Sequence, residues 1–331
     1  QRRNRLTGDP LTLHWLVPEP TGAGSGGHMN IVQFVRHLQQ AGFHNRLYSL
    51  PNRVLKSDAD MRAVLVDHYG DIGDAETHID ASAIPPGDIC VATGWDTAYR
   101  LYALNNTLFK VYLVQDFESM FHGMGSHYLF AENTYRMNFY GIFGSPWLHD
   151  LMRDRYGFNG FAFRYGYNPA IYRPLPGLIR NPDQVAVYIR PRTIRRGFEL
   201  LMGALQILKR LRPQTRIVLY GSAEPITGLP FACEQPGLLG QDQLAALYNS
   251  SALLLLTSLT NYSIIPVEAM ACGAAVVDVR APSIQSVFQS DQHLLLCDLN
   301  PWDMARRTAA LLDAPRIEIA KQQVLIGLED R

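Results

Sequence analysis

The chain alternates short apolar runs with amphipathic stretches, and it does so twice. In the first half, residues 11–17, 46–50, 89–92, 110–114 and 140–143 have the length and apolar content of buried strands. Residues 29–40 set Ile31, Val32, Val35 and Leu38 on one helical face. Residues 146–154 predict a further helix, with Pro146 in its first turn. The second half predicts strands at 184–189, 216–220, 253–256 and 274–279. Helices are predicted near 198–211 and 241–249, with a short one stopping at Gly273. Such alternation predicts parallel sheets covered by helices on both faces. Between the halves, Pro169, Pro174, Pro176 and Pro182 block regular structure and stiffen a connector. The predicted organisation is an α/β domain over 1–165, a linker over 166–182 and a second α/β domain over 183–331.

Composition narrows the class. A length of 331 residues suits two domains of about 150 residues each. Lys and Arg balance Asp and Glu at 30 each, which leaves no bulk footprint for nucleic acid. Cys90, Cys233, Cys272 and Cys297 are widely spaced and form no metal-ligand pattern, so reduced thiols in a reducing compartment are expected. No apolar stretch approaches the ~20 residues of a membrane span, and no signal peptide is visible. The chain opens on Gln1, and a missing N-terminal piece is expected.

The strongest chemical signal is residues 266–277, Pro-Val-Glu-Ala-Met-Ala-Cys-Gly-Ala-Ala-Val-Val. A strand and a polar loop precede it, so Glu268 falls in the first turn of a helix. One carboxylate and several backbone N–H groups then gather just past a strand end, which suits a ligand with a diphosphate and a ribose. Tyr262, Ser263 and Ile264 lead into that helix, and the Ser263 hydroxyl can donate to a phosphate. Upstream, Arg190, Arg192, Arg195 and Arg196 lie within seven residues before Gly197. Guanidinium groups bind phosphate in bidentate fashion; the alternative is a solvated basic turn. Gly221 with Ser222, and Gly240, end a strand and start a helix where backbone can approach a nucleotide.

In the first half, Gly22, Gly24 and Gly27 have dinucleotide-fingerprint spacing, but residues 42–56 supply no Asp or Glu for the ribose. The loop, with Gly26 and Gly27 opening a helix, is expected to offer N–H groups to a phosphate or sugar, or to bind nothing. His28 reaches that ligand or caps the helix. Gln115, Asp116 and Glu118 follow a strand end, where Asp116 can orient or deprotonate an acceptor hydroxyl; a capping Asp is the alternative. Tyr135 and Arg136 are further candidate sugar contacts. Asp58 and Asp60 have a metal-motif spacing but sit in a polar segment, so no metal site is expected.

The run Glu-Ala-Met-Ala-Cys-Gly at 268–273 resembles the donor-site signature of family-4 glycosyltransferases of the GT-B fold. The resemblance implies two Rossmann-like doubly wound domains facing across a cleft, the first on the acceptor side and the second binding a nucleotide-diphospho-sugar. The family pairs two Glu residues eight positions apart; Glu268 matches the second and Thr260 stands at the first. Asn261, Tyr262 and Ser263 stand where Gly-Phe-Gly is usual. Gly26-Gly27 matches the family's Gly-Gly loop. Asp116 matches the Asp of a His-Asp pair, with Gln115 at the His. Arg190, and Arg195 or Arg196, match an Arg and a Lys before Gly197. Residues 115–118, 131–136 and 190–200 resemble the bacterial rhamnosyltransferases that build surface polysaccharides.

This resemblance implies retaining, metal-independent transfer of L-rhamnose from dTDP-β-L-rhamnose to a growing, lipid-linked glycan such as O-antigen. It implies no cofactor beyond the donor and no nucleic-acid partner. Asp116, Arg190 and Arg196 are then catalytic. Gly26, Gly27, Arg190, Arg195, Arg196, Gly221, Ser222, Gly240, Tyr262, Ser263, Ile264 and Glu268 bind the donor. His28, Glu118, Tyr135 and Arg136 bind the acceptor. A place in the bacterial cytoplasm follows, at the inner face of the plasma membrane, with further flanking segments. Residues 317–328 would begin the family's closing helix. A GT-B sugar-nucleotide epimerase, and a sugar-nucleotide or glycan-binding module without catalysis, remain open.

Overall fold

The computed structural model describes residues 10–20, 24–50, 54–288 and 294–314. Gly22 and the helical pattern at 317–328 lie outside them. The described residues through Gly144, with Leu148–Phe163, form one compact unit; Ser145–Trp147 and Arg164 onward form the other.

The first unit is built from β1 (Thr12–Val17), α1 (Gly26–Gln40), β2 (His44–Ser49), α2 (Asp58–Tyr69), β3 (Glu76–His78) and β4 (Gly87–Ala92). It continues with α3 (Trp95–Ala103), β5 (Thr107–Val114), α4 (Ser126–Thr134), β6 (Tyr140–Phe143), α5 (Pro146–Tyr156) and β7 (Gly160–Ala162). The seven strands pair in parallel in the order β3-β2-β1-β4-β5-β6-β7. Ile31, Val32 and Val35 of α1 bury against Leu13, Trp15 and Val17 of β1, as their helical spacing requires. Gly160 pairs with Gly141 so closely that a Cβ on it would stand 2.0 Å from the Gly141 carbonyl oxygen. Gly160→Ala is therefore expected to lower the melting temperature, since forced overpacking costs about 1–3 kcal/mol. A scan in which the variant melts with the parent would contradict this β6–β7 register.

The second unit holds β8 (Asn181–Tyr188), α6 (Phe198–Leu211), β9 (Arg216–Tyr220), β10 (Glu234–Gly237), α7 (Gln241–Ser250) and β11 (Ser251–Leu255). Then come α8 (Ile265–Ala271), β12 (Ala275–Val279), α9 (Pro282–Gln285), β13 (Leu295–Cys297) and α10 (Pro301–Asp313). Its six strands are parallel in the order β10-β9-β8-β11-β12-β13. Val185, Ala186 and Val187 of β8 and Leu253, Leu254 and Leu255 of β11 are all buried. That is why these strands read as unbroken apolar runs: helices cover both faces. Both units are thus doubly wound α/β structures.

The proline-rich connector is not a free spacer. Tyr172 is buried in the second core. Asn249 accepts from the Leu175 N–H and donates to the Arg173 carbonyl, both at 2.9 Å. Arg180 donates to the carbonyls of Tyr248, Ser251 and Cys272. Among the described residues, no helix is long and apolar enough to cross a membrane.

Candidate functional site

In each sheet the strand order reverses at one place, and the loops beyond the carboxyl ends of the strands flanking it form a crevice for ligands. In the second unit that place lies between β8 and β11. The loop after β8 carries the arginines. Arg190 Nε donates to the Tyr188 hydroxyl at 3.0 Å. The Arg190 and Arg196 guanidinium carbons stand 5.9 and 5.7 Å from the centroid of the same Tyr188 ring, within cation–π range. Tyr188, which the sequence did not single out, therefore gathers two of the predicted guanidinium groups. Arg195 is half-buried in the short 3₁₀ turn Ile194–Arg196. Arg192 points away and pairs with Glu224 at 2.8 Å, with both side chains mostly exposed.

The loop after β11 packs against this arginine turn. The Thr257 hydroxyl donates to the Arg196 carbonyl. Gly197 is left-handed at φ 54, and a Cβ on it would stand 3.1 Å from that hydroxyl, so glycine permits both the turn and the approach. Farther along, the Ser263 hydroxyl accepts from the Ile265 N–H at 3.4 Å. The Ile264 carbonyl accepts from the N–H groups of Val267 and Glu268. Among the described residues, the N–H groups of Tyr262, Ser263 and Ile264 have no protein acceptor. Arg190, Arg196 and this loop thus share one end of the sheet, with donors suited to an anion.

Other residues of the predicted donor set are committed elsewhere. Tyr262 is a core residue: its ring packs on Phe288 and Tyr165, and its hydroxyl accepts from the Tyr165 N–H at 2.6 Å. The Gly240 N–H donates to the Gln243 side chain at 2.9 Å, so its amide caps α7 instead of facing a nucleotide. The Ser222 hydroxyl donates to the Glu224 carbonyl at 2.7 Å. The Gly221 N–H donates to the Gly237 carbonyl. Gly221, at φ 100, would place a Cβ 2.8 Å from the Ile189 carbonyl and the Tyr188 ring. Its part is to let β9 crowd Tyr188.

Glu268 sits in the first turn of α8, as the sequence placed it. Burial raises its carboxyl to about pKa 7, and the Tyr172 hydroxyl pulls the other way. Tyr172 also stacks on Tyr248, whose hydroxyl lies 2.9 Å from that of Tyr220.

In the first unit the order reverses between β1 and β4. His28 lies there, half-buried at the start of α1. Its Nε2 lies 3.0 Å from the Pro18 carbonyl, which can only accept, so Nε2 carries the proton. Nδ1 then takes the Ser25 hydroxyl at 2.8 Å, while that oxygen accepts from the His28 N–H at 3.3 Å. Burial lowers the His28 pKa, which favours this neutral form. Asp96, in the first turn of α3, opposes that shift with its charge. Gln115 bridges the end of β5 to α1, accepting from Asn30 at 2.8 Å and donating to the Gly27 carbonyl at 3.2 Å. Gly26 and Gly27 form the first turn of α1. Asp116 accepts from the Phe117 N–H at 2.8 Å.

Two predicted acceptor contacts are corrected. Glu118 is 4% exposed and accepts from the Trp95 N–H at 2.5 Å and the Tyr112 hydroxyl at 3.0 Å. Tyr135 is 1% exposed, stacks on Phe117 and accepts from the Ser119 N–H at 3.3 Å. Both are internal supports: the 3₁₀ turn Glu118–Phe121 brings Glu118 to the start of α3, and Tyr135, at the end of α4, holds the turn through Ser119. Arg136 is exposed and stacks on Tyr156 at 4.8 Å, on α5. Trp95 with His122 and His127 forms an aromatic cluster that the sequence did not signal, with His122 5.8 Å from the Trp95 ring. Asp58 and Asp60 serve α2: Asp58 accepts from the Ile79 N–H and Asp60 from the Lys56 N–H. All four cysteines are free thiols.

Comparison with known proteins shows what each part of the chain resembles. Residues 185–314 match the family described as glycosyl transferases group 1. That match lies within the second unit. The arginine turn, the loop after β11 and Glu268 all lie inside the matched glycosyltransferase region. Residues 33–142 match the family described as the WsaF N-terminal domain. The O-antigen biosynthesis protein RfbC of Myxococcus xanthus is 30% identical over 310 residues, which is 90% of this chain and 24% of RfbC. The chain thus spans about a quarter of that relative's length. Sucrose-phosphate synthase from Thermosynechococcus elongatus superposes with a TM-score of 0.73 at 14% identity, covering 96% of this chain and 93% of that one. Anabaena HepE, in complex with UDP and glucose, gives 0.73 at 15% identity, covering 96% and 94%. At such identities the structural likeness establishes the fold alone, two Rossmann-like α/β domains.

Proposed function

We propose that the chain transfers a sugar from a nucleoside-diphosphate donor to a surface polysaccharide under assembly. The observation that carries this is the pairing of Arg190 and Arg196 about Tyr188, beside the loop after β11, at the reversal point of the second sheet. Guanidinium groups there meet the charge that develops on a departing diphosphate. The glycosyltransferase match over 185–314 and the likeness to an O-antigen biosynthesis protein support the same reading.

The finer proposal is a family-4 enzyme using dTDP-β-L-rhamnose, retaining configuration and working without a metal, on a lipid-linked acceptor at the cytoplasmic face of the membrane. Its support is the sequence resemblance at 115–118, 131–136 and 190–200. In this reading Asp116 acts on the acceptor hydroxyl and His28 contacts the acceptor. Thermal-shift screening against dTDP-rhamnose, UDP-glucose and other nucleotide sugars tests the donor. The expected result is the largest shift with dTDP-rhamnose and release of dTDP only when an acceptor glycan is added. A larger shift with UDP-glucose sinks the rhamnose assignment. Donor binding without turnover on any surface-glycan acceptor points to the binding module, and donor conversion without acceptor to the epimerase.

A further inference from the structure

Beneath the loop after β11 lies an acidic side chain with no part in the reading so far. Asp278 sits near the carboxyl end of β12 and is 1% exposed. Its Oδ1 accepts from the Ser258 N–H at 3.0 Å and the Val279 N–H at 2.8 Å. Ser258 follows Thr257, whose hydroxyl holds the Arg196 carbonyl. An unbroken set of contacts therefore runs from β12 through the loop to the arginine turn. Burial pushes the Asp278 carboxyl up to about pKa 7, against the hydrogen bonds from Val279 and Ser258 and, as the smallest pull, the Arg196 guanidinium on the turn after β8. From β13, the Cys297 thiol donates to the Asp278 carbonyl. Burial holds that thiol protonated at about pKa 12, so it brings no charge; Asp303 and Arg307 of α10 act on it from beyond.

We propose that Asp278 is a positioning residue for the diphosphate of the donor: it fastens the loop after β11 to β12 and so fixes where Arg196 stands. The inference rests on the reading that these loops bind a nucleoside diphosphate. The carboxyl then acts in two opposed ways. As a hydrogen-bond acceptor it holds the loop in place. As a charge it competes with the diphosphate for Arg196, so its ionisation disfavours binding, and binding favours its protonation. Affinity for a nucleoside diphosphate should therefore fall as the pH rises above neutrality. This range lies above the phosphate's own second ionisation near pH 6.

The test is calorimetric titration of dTDP and UDP into the intact chain, Asp278→Asn and Asp278→Ala, at about pH 7 and about pH 9, with melting temperatures in parallel. The unsubstituted protein is expected to bind about tenfold more weakly at the higher pH. Asp278→Asn, which keeps an acceptor for Ser258, should lose that dependence. At both values Asp278→Ala should bind about tenfold more weakly than the parent does at about pH 7, because two N–H groups lose their acceptor. An Asn variant with the parent's pH dependence overturns the inference; it is the deciding variant if the Ala protein does not fold. A folded Ala variant with the parent's affinity at about pH 7 overturns it too. If the parent takes neither nucleotide, the reading of the loops falls, and this inference with it.

Discussion

Arg196→Ala is expected to lower kcat/KM by about 10²–10³-fold, the usual cost of deleting one preorganised donor to a developing anion. Three observations place Arg196 where that loss is greatest. Its carbonyl is held by Thr257, its guanidinium lies over Tyr188 beside Arg190, and its charge reaches Asp278. Arg196→Lys should fall between parent and Ala, since an ammonium keeps the charge but not the planar fork. Arg192→Ala is the control. Its side chain is 85% exposed and pairs with exposed Glu224, a kind of pair worth about 1 kcal/mol or less. Its turnover should stay within about twofold of the parent. The assay is release of nucleoside diphosphate from the donor in the presence of acceptor. Arg196→Ala and Arg192→Ala with equal activity would remove Arg196 from the chemistry.

Glu118→Gln should reverse the order of stability between acid and alkaline solution. Burial lifts the Glu118 carboxyl from its ordinary 4.5 to about 8, with the charges of Asp96 and Asp116 adding to the effect. An acid whose pKa rises on folding holds its proton more tightly in the folded state. The stability it contributes is complete below about pH 4.5 and is lost as pH climbs through about 8. Across that span the loss is of order 3–5 kcal/mol. Glutamine cannot ionise, and its carbonyl can still accept from the Trp95 N–H or the Tyr112 hydroxyl. The variant should melt at or below the parent near pH 5 and above it near pH 9. Glu268 and Asp278, each raised to about 7, tilt the parent's stability the same way and remain in the variant. A variant that tracks the parent at every pH would show that Glu118 ionises freely in the fold.

Most strands were legible because their central residues are buried on both faces. Val185 to Val187 and Leu253 to Leu255 leave no polar position to confuse the pattern. Helix α2 was not legible. It buries only Met61, Leu65 and Tyr69, one residue per turn, among Asp58, Asp60, Arg62 and Asp67. Strands β3, β7 and β13 have three residues each, too few for any period to show. At the site, the arginine run and Glu268 stood out because each is a local motif. Asp278 did not, since Ser258, which gives it meaning, lies twenty residues earlier. Glu118 and Tyr135 misled for a related reason. A polar group just past a strand end normally faces solvent, but the following turn tucks Glu118 inward, and Tyr135, capping the end of α4, stacks beneath it on Phe117.

The proline-rich stretch also says where the chain divides. Tyr172, Arg173, Leu175 and Arg180 are fastened to α7, β11 and the end of α8, so they belong to the second unit. A knife placed at residue 183 would orphan the Asn249 amide and three backbone carbonyls at once. Placed ahead of Arg164, it would leave every one of those partners attached, and the second unit would keep its own stitching.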